Sequence, residues 1–347
     1  MKFSIVIPCY NAVDYVDRSI GSAVRQNFPK TEYEIIAVND ASTDDTLSKL
    51  NSWKEKYPGL VKVVSYEENL RQGGARNVAM RSALGEYICF LDADDRMDKQ
   101  CLKKYDILIE DTHADMVVSR HVDETEFVAS DEETTGEPDT GDNVTVNYDN
   151  LTILSHDSDF SRIVSSDFGY VWCACYRKSM ILDNDLFFPE KLAYEDLMWP
   201  RIVRLYADKI CICEEITHHK YDNPVSTMNK KDAPHHLDRL TVYEMLLAEY
   251  RRLGVMDREY LTLLNETMET YFFNSYYMFF TRMQSIPDVY ARIRNVIYEY
   301  FPDWEEKYDD SDLPMYFQYF IKLLKRIPNA SPEDLVPFKE SLLELIE

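Results

Sequence analysis

The first hundred residues alternate short apolar runs with segments of helical periodicity. Four runs have the length and continuous apolar character of buried strands, at 3–8, 34–39, 60–66 and 87–91. Three segments between them repeat apolar residues at intervals of three and four, at 13–26, 44–57 and 73–85. Strands that alternate with helices predict a mostly parallel sheet flanked by helices. The expected fold class is therefore α/β.

The rest of the chain first continues this pattern and then becomes helical. Further strands are predicted at 114–121 and 170–176, and a helix is expected to begin at Tyr194-Glu195-Asp196. From His235 onward, leucine, tyrosine and methionine residues recur at helical spacing. The C-terminal third is therefore predicted to consist of helices.

The length of 347 residues exceeds what one hydrophobic core usually fills, which favours two domains. We predict a catalytic α/β domain over 1–234 and a helical C-terminal module over 235–347. Aromatic residues are dense in this module, above all at 271–280. They are consistent with helix packing, with acceptor binding, with a homo-oligomer interface or with peripheral membrane association.

Three predicted strand ends are polar, and they are the first places to look for a site. These ends are 8–11 (PCYN), 39–42 (NDAS) and 92–95 (DADD). In open parallel sheets, ligands bind beyond the carboxyl ends of the strands, so the three ends should meet at one edge. Asp92 and Asp94, two positions apart, can bind one hard cation such as Mg²⁺ or Mn²⁺. An acidic turn without a ligand is the alternative, because Asp is common in turns.

The charge excludes one class of partner. A net charge of -24 argues against nucleic-acid binding, because a polyanion would be repelled over most of the surface. The negative charge is compatible with binding of a nucleotide-sugar, because a cation can neutralise its phosphates locally. Residues 123–150 carry ten acidic side chains and no Lys or Arg, which predicts a solvated excursion.

Neither a signal peptide nor a membrane span is expected. No run of 18 apolar residues occurs, and Pro8 interrupts the apolar start of the chain. The expected location is the cytoplasm, with the inner face of the membrane as the alternative. The pairs Cys173-Ala-Cys175 and Cys211-Ile-Cys213 lie in strand-like runs, which favours small buried hydrophobes over zinc ligands.

Five motifs follow one another in a fixed order. They are SIVIPCYN at 4–11, EIIAVNDASTDDT at 34–46, ENLRQGGARN at 68–77, GEYICFLDADD at 85–95 and AYEDLMW at 193–199. In this order and spacing, the chain resembles the family 2 glycosyltransferases over roughly its first 230 residues. The resemblance implies a GT-A fold and an inverting, metal-assisted transfer of a sugar from a nucleotide-sugar. UDP is the expected nucleotide, a hydroxyl of a saccharide or lipid-linked saccharide the expected acceptor, and surface polysaccharide synthesis the expected setting.

The resemblance also implies individual roles at the strand ends. Nucleotide-sugar binding falls to Pro8, Tyr10, Asn11, Asp40, Gly74, Arg76 and Asp92. Tyr10 would stack on the base, Asp40 would accept a base N–H, and Arg76 would reach base or phosphate through its rigid donor fork. Gly74, with Gly73 before it, would let the backbone approach the nucleotide. Asp94 would be the direct ligand of Mn²⁺ or Mg²⁺, with Asp92 shared between ribose and metal.

Glu195 and Asp196 are the predicted catalytic acids. Glycosyl transfer needs a base for the acceptor hydroxyl, and the resemblance gives that role to Asp196, with Glu195 orienting it or binding sugar hydroxyls. Apolar neighbours can raise the pKa of such an acid. The alternative is that both are favourable charges in a first helical turn. Trp172 and Trp199 are expected either in the core or stacked on the acceptor.

The segment from His218 to Ser226 resembles the late strand and loop of the family. His218 or His219 could contact the metal, although paired histidines at a strand end are more often half-buried. Rival functions lack their motifs: P-C-Y-N-A-V is neither the phosphate loop of a nucleotidyltransferase nor the G-x-G-x-x-G of an oxidoreductase. A nucleotide-sugar-binding scaffold would predict the loss of a catalytic acid, and all four (Asp40, Asp92, Asp94 and Asp196) are present.

Overall fold

The chain forms two compact units, Met1–Asn223 and Pro224–Glu347. The computed structural model describes residues 1–124, 144–166, 170–223, 230–309, 311 and 315–344. Most of the acidic stretch, at 125–143, and the loop residues Pro224 to Ser226 lie outside the described residues. The break at 223/224 falls slightly before the predicted domain boundary at 234/235, and the functional division into those two domains stays a prediction.

One sheet organises the first unit. Its strands, among the described residues, are β1 (Phe3–Cys9), β2 (Tyr33–Asp40), β3 (Val61–Tyr66), β4 (Tyr87–Phe90), β5 (Arg96–Met97), β6 (Met116–Glu124), β7 (Thr152–Ser155), β8 (Ala174–Arg177) and β9 (Lys209–Tyr221). They lie in the order β3-β2-β1-β4-β8-β6-β9-β5, and β7 pairs with β9. The predicted α/β sheet of GT-A type is confirmed.

The four predicted strands form the parallel half of this sheet. β1 pairs in parallel with both β2 and β4, and β2 pairs in parallel with β3. Every residue of β1 and β2 is buried, which explains why both strands are apolar on either face. Beyond β4 the sheet becomes mixed, because β8 runs antiparallel to β4 and to β6. β8 therefore starts at the edge where β4 ends.

Helices cover the sheet as predicted. In the first unit they are α1 (Val16–Val24), α2 (Thr46–Lys56), α3 (Arg71–Ser82), α4 (Cys101–Thr112), α5 (His156–Ser165), α6 (Lys178–Asp183) and α7 (Trp199–Val203). Short 3-10 turns occupy Val171–Cys173, Glu195–Leu197 and Arg204–Tyr206. The helix expected at Tyr194 thus begins as a 3-10 turn at Glu195 and becomes α-helical only at Trp199.

The core of the first unit lies between sheet and helices. Phe3, Ile5 and Ile7 of β1 belong to one buried cluster with Val16 and Ile20 of α1. All seven cysteines are buried and free of disulfides, and burial raises the pKa of the thiols of Cys9, Cys173 and Cys211. The interpretation of these cysteines as buried hydrophobes is confirmed.

The second unit is helical, as predicted for the C-terminal module. Its helices are α8 (Asp238–Arg252), α9 (Val255–Arg258), α10 (Tyr260–Glu266), α11 (Asn274–Arg282), α12 (Tyr290–Tyr300), α13 (Trp304–Lys307), α14 (Met315–Arg326) and α15 (Val336–Glu344). A π-helix at Thr267–Phe273 joins α10 to α11, and 3-10 turns lie at Pro234–Leu237 and Glu333–Leu335. Tyr271, Phe272, Tyr276 and Phe280 of the aromatic run are buried, as helix packing requires. Within the described residues, no helix is long and apolar enough to cross a membrane.

Candidate active site

The polar strand ends meet at one edge of the sheet. Asp40 ends β2, Tyr10 follows β1, and Asp92 follows β4, and these three strands run in the same direction. The start of β8 and the last residues of β6 and β9 reach the same edge, because β6 and β9 run parallel to each other and antiparallel to β8. The edge predicted to carry the site is therefore built from six strands.

The loops after β1 and β2 are tied to each other through Asn11. Its backbone N–H donates to Ser42 Oγ at 3.0 Å, and its side-chain Oδ1 accepts the N–H of Thr43 at 2.8 Å. Asn11 has a φ of 48°, a left-handed conformation that asparagine tolerates better than most residues. Pro8 is buried within β1, whereas Tyr10 is 50% exposed. The exposed Tyr10 ring offers the stacking surface that the sequence predicts.

Asp40 connects the end of β2 to the start of α3. The residue is only 2% exposed, and its Oδ1 accepts the N–H of Leu70 at 2.7 Å. Burial raises the pKa of Asp40, and the Leu70 N–H opposes that shift by stabilising the charged form. The structure thus gives Asp40 a role in positioning α3, while its contact with a base stays a prediction.

The two glycines of α3 are explained by packing inside the protein. A Cβ on Gly73 would lie 2.5 Å from the backbone oxygen of Pro189, and a Cβ on Gly74 would lie 2.4 Å from Cβ of Leu70. Both approaches are closer than side chains allow, so the small residues are required by Pro189 and Leu70. Packing thus accounts for both glycines, and the nucleotide contact expected at Gly74 stays a prediction.

Arg76 joins the two predicted acid sites. Its Nη2 donates to Asp92 Oδ1 at 2.8 Å and its Nη1 to Glu195 Oε1 at 2.6 Å, while the residue is only 2% exposed. Phe90 and Phe188 lie beneath the guanidinium, 5.8 and 5.4 Å from its carbon. Burial opposes the charge, but Asp92 and Glu195 outweigh it and raise the pKa of Arg76. In the structure Arg76 thus bridges two carboxylates, and the contact with base or phosphate that the sequence resemblance implies stays a prediction.

The neighbouring acids Glu195 and Asp196 have different surroundings. Glu195 is 3% exposed, and burial raises its pKa to about 7 even though Arg76 acts to lower it. Asp196 is exposed on the same 3-10 turn, so water reaches its carboxylate. Protein surrounding the carboxylate still reduces its hydration and raises the pKa of Asp196, and the charge of Asp92 adds to the shift. Glu195 is thus held inside the protein, while Asp196 can meet a ligand.

The segment before these acids is docked on α3 by Asn77. Asn77 Nδ2 donates to the backbone oxygen of Phe188 at 2.9 Å, and its Oδ1 accepts the N–H of Phe188 at 2.9 Å. Nδ2 also donates to Glu190 Oε1 at 3.0 Å, and Gly73 on the same helix contacts Pro189. Lys191 adds a backbone bond, donating its N–H to the oxygen of Leu70 at 3.0 Å. α3 therefore fixes the path of the chain that leads to Glu195 and Asp196.

We expect Asn77→Ala to loosen this segment and to lower the free energy of unfolding by about 1–3 kcal/mol, because it leaves buried backbone groups of Phe188 unpaired. If the Asn77 contacts position Asp196, turnover should fall while the dissociation constant of the donor stays unchanged. Ser82→Ala, on the same helix but bonded only within it, is the matched control. A variant with normal turnover would contradict the positioning role.

The Asp92–Asp95 turn is attached to the end of β9. Asn223 Nδ2 donates to Asp94 Oδ2 at 2.9 Å, and the backbone N–H of Tyr221 donates to Asp95 Oδ1 at 2.8 Å. Burial raises the pKa of Asp94, and burial together with the charges of Asp92 and Asp94 raises the pKa of Asp95 to about 8. Asn223 and Tyr221 were not predicted as site residues; the only signal was their place in the late strand and loop of the resemblance.

The carboxylates of Asp92 and Asp94 suit a hard cation whose remaining ligands are oxygens from outside the protein. The hydrogen bonds engage one oxygen of each acid, Oδ1 of Asp92 and Oδ2 of Asp94. Burial and the charge of Asp92 raise the pKa of Asp94, and a cation between the two carboxylates would offset both effects. No group of three or more His, Cys, Asp or Glu side chains that could hold a metal occurs in the described part of the chain. Two carboxylates plus phosphate and water oxygens are what Mg²⁺ commonly accepts.

Two further predictions concern aromatic and histidine side chains. Trp199 belongs to the core: it is 2% exposed, stacks on Phe188 at 4.2 Å and donates to the backbone oxygen of Leu186 at 2.9 Å. An acceptor cannot reach its ring. His218 is fully buried, and burial lowers its pKa to about 3. His218 Nδ1 lies 2.8 Å from Thr217 Oγ1, and His219 Nδ1 lies 3.0 Å from Glu124 and 3.1 Å from Arg96; a metal contact of either histidine stays a prediction.

Comparisons with known proteins agree with this architecture. Residues 4–167 match the sequence profile described as glycosyl transferase family 2. The poly(ribitol-phosphate) beta-N-acetylglucosaminyltransferase TarS of Staphylococcus aureus is 32% identical over 224 residues, which cover 62% of this chain and 34% of TarS. A poly(ribitol-phosphate) beta-glucosyltransferase of Bacillus spizizenii is 38% identical over 120 residues, covering 35% of this chain and 19% of that protein. The chain thus matches about a third or less of the length of these curated relatives.

A solved structure extends the likeness in fold to almost the whole chain. The crystal structure of Staphylococcus aureus TarS 1–349 in complex with UDP-GlcNAc has a TM-score of 0.71 and 21% identity, covering 99% of this chain and 92% of that chain. At this identity the likeness is one of fold. The profile match and the ordered motifs together mean that residues 4–167 belong to glycosyl transferase family 2.

Proposed function

We propose that this chain transfers a sugar from a UDP-linked donor to a hydroxyl group of a surface-polymer acceptor, with inversion at the anomeric carbon. The observation that carries the proposal is the Arg76 bridge, which holds the strand-end acid Asp92 and the acid turn Glu195–Asp196 in one site. The names of the relatives support the chemical class, since TarS was solved with UDP-GlcNAc and two relatives act on poly(ribitol phosphate). A saccharide or polyol-phosphate polymer is the proposed acceptor class.

The donor is proposed to lie over the ends of β1 and β2. Tyr10 would stack on the uracil, because its exposed ring stands beside the loops that Asn11 ties together. Asp40 sits at the end of the neighbouring strand and Asp92 at the end of β4 on the other side. The diphosphate would then reach the Asp92–Asp94 turn. Two carboxylates would repel a diphosphate on their own, so we expect a cation to lie between them.

Asp92 and Asp94 would hold Mn²⁺ or Mg²⁺ through the oxygens that the protein leaves open. A bound cation would neutralise the charge that develops on the departing diphosphate. Asn223 fixes the orientation of Asp94, and Arg76 fixes that of Asp92, by hydrogen bonds of 2.9 and 2.8 Å. These partners keep both carboxylates aimed before any ligand arrives.

Asp196 is the proposed base. Its exposed carboxylate can accept the proton of the acceptor hydroxyl while that oxygen attacks the anomeric carbon and the bond to the diphosphate breaks. Its raised pKa suits this task, since a base works best when its pKa lies near the operating pH. Glu195 is committed to Arg76 and serves as the support of the turn.

The stereochemistry of the product tests this mechanism. A single displacement on an α-linked UDP-sugar gives a β-linked product. Proton NMR of the product of transfer from UDP-GlcNAc to poly(ribitol phosphate) should therefore show a β anomeric coupling. An α-linked product would contradict a single displacement with Asp196 as base.

The cation site has a test that does not need turnover. We expect Asp94→Asn to weaken Mn²⁺ binding in the presence of UDP by more than about tenfold. Removing only a hydrogen-bond partner of a metal ligand typically lowers metal affinity by about 10- to 100-fold, and this substitution removes a ligand itself. Electron paramagnetic resonance of free Mn²⁺ measures this affinity. Asp183→Asn, an exposed acid at the end of α6, is the control. Equal Mn²⁺ affinity of the Asp94 variant and the wild type would remove Asp94 from the proposed site.

A further inference from the structure

Three aromatic rings stand together at the site edge, on the other side of β4 from Tyr10. Tyr170 and Trp172 stack with their centroids 5.0 Å apart and their planes at 4°. The ring of His121, at the end of β6, meets both edge-on at 5.1 Å. We call these three residues the aromatic platform. Trp172 is 5% exposed and Tyr170 is 42% exposed, so Tyr170 forms the surface of the platform and Trp172 supports it.

Polar groups border the exposed ring. Lys220 Nζ lies 5.5 Å from the centroid of Tyr170 and 3.4 Å from Asp123 Oδ1. Asp123 also lies 3.7 Å from His121 Nε2. The side chain of Asp123 is 64% exposed and that of Lys220 is 34% exposed, so their ion pair is weak and open to exchange with a ligand. The margin of the platform thus offers both hydrogen-bond donors and an acceptor.

The register of the sheet places the platform next to the acid turn. His121 pairs with His218 and Asp123 with Lys220 in the β6–β9 ladder. The residue after Lys220 is Tyr221, whose backbone N–H donates to Asp95 at 2.8 Å. Lys220, at the margin of the platform, therefore directly precedes the residue of β9 that holds the Asp92–Asp95 turn. Along the sheet edge, Asp92 separates the platform from the loops proposed to hold the nucleotide.

We propose that the aromatic platform binds a polyhydroxylated unit of the acceptor, a sugar or polyol residue next to the one that receives the transferred sugar. The inference rests on the proposed function and names the acceptor contact of that site. An aromatic ring packs against the C–H groups of such a unit, and the groups at its margin pair with the hydroxyls. Trp172, suggested by the sequence as an acceptor contact, acts through Tyr170, because Tyr170 lies between it and the solvent.

Short poly(ribitol phosphate) fragments are the probe. They are titrated into protein saturated with UDP, so that no sugar is transferred during the titration, and binding is followed by tryptophan fluorescence. Tyr170→Ala should weaken fragment binding about tenfold, and Tyr170→Phe should keep near wild-type affinity because it keeps the ring. Tyr170 is exposed at a surface, so its removal should leave the melting temperature unchanged. Tyr148→Ala, which removes a tyrosine of 49% exposure bonded to Asp111 of α4, is the control.

The donor affinity separates this inference from the proposed function. All variants should bind UDP-GlcNAc as the wild type does. The proposed role of the platform would be overturned if Tyr170→Ala bound the fragments as tightly as the wild type. It would also be overturned if the wild type bound UDP-GlcNAc but no fragment. A wild type that fails to bind UDP-GlcNAc would instead contradict the proposed function, and fragment binding would still decide on the platform.

Discussion

Asp196→Asn is expected to lower the rate of sugar transfer by a factor of about 100 to 10,000 while donor binding stays intact. The amide keeps the size of the side chain but cannot take the proton of the acceptor hydroxyl. Donor binding should survive because Asp196 is exposed and the Arg76 bridge uses Glu195, so the substitution breaks neither salt bridge. The rate is measured with saturating UDP-GlcNAc and acceptor, and donor affinity by calorimetry.

The pH profile gives an independent readout of the same group. The pKa of Asp196 is raised above its ordinary value, and only the deprotonated acid can act as base. The wild-type rate should therefore fall as the pH drops through that raised pKa, and Asp196→Asn should lose this limb of the profile. Asp157→Asn, at a fully exposed acid on α5, is the matched control. A normal transfer rate in the Asp196 variant would place the base elsewhere.

Arg76→Leu is the second substitution with a large expected effect, a loss of about 3–5 kcal/mol in the free energy of unfolding. Removing the guanidinium leaves Glu195 buried without a counter-charge and releases Asp92. The pKa of Glu195, already raised to about 7, should rise further because Arg76 acts to lower it. Urea unfolding followed by tryptophan fluorescence measures the loss.

A double-mutant cycle separates the bridge from simple loss of packing. Glu195→Leu alone should also destabilise, because it leaves Arg76 without one of its two partners. Combined with Arg76→Leu it should recover part of the lost stability, since the unpaired buried acid is gone. Strict additivity of the two losses would contradict the bridge as the source of the effect.

Most of the parallel half of the sheet could be predicted because β1, β2 and β4 are buried on both faces. β1 and β2 are fully buried and mostly apolar, with Ile5 to Ile7 and Ile35 to Val38 as continuous apolar runs that are easily recognised. The two-residue strand β5 has no periodicity to detect. The thirteen residues of β9 mix buried and exposed positions across irregularities in its pairing with β6, so only its apolar start was visible.

The sequence indicated which residues to expect in the site, but not which of their side chains contact one another. The strand ends indicated Asp92 and Asp94 as candidate ligands, and the resemblance to the family added Asp196 as the candidate base; all three roles stay predictions. Arg76 and Glu195 are 119 positions apart, and no local pattern shows that a guanidinium will be used by a distant carboxylate. Nor does a local pattern show that Pro189 and Leu70 pack against the two glycines of α3.

Turnover of UDP-GlcNAc with and without divalent cation tests the central claim most directly. UDP release is measured with Mn²⁺, with excess chelator, and after Mn²⁺ is added back. The account predicts UDP release with Mn²⁺, its loss in chelator and its recovery on addition, and none of these in Asp94→Ala. Release of UDP at the full rate in chelator would contradict the cation site at Asp92 and Asp94. The proposed transfer itself would be contradicted if no UDP were released under any condition, from UDP-GlcNAc or from any other UDP-sugar.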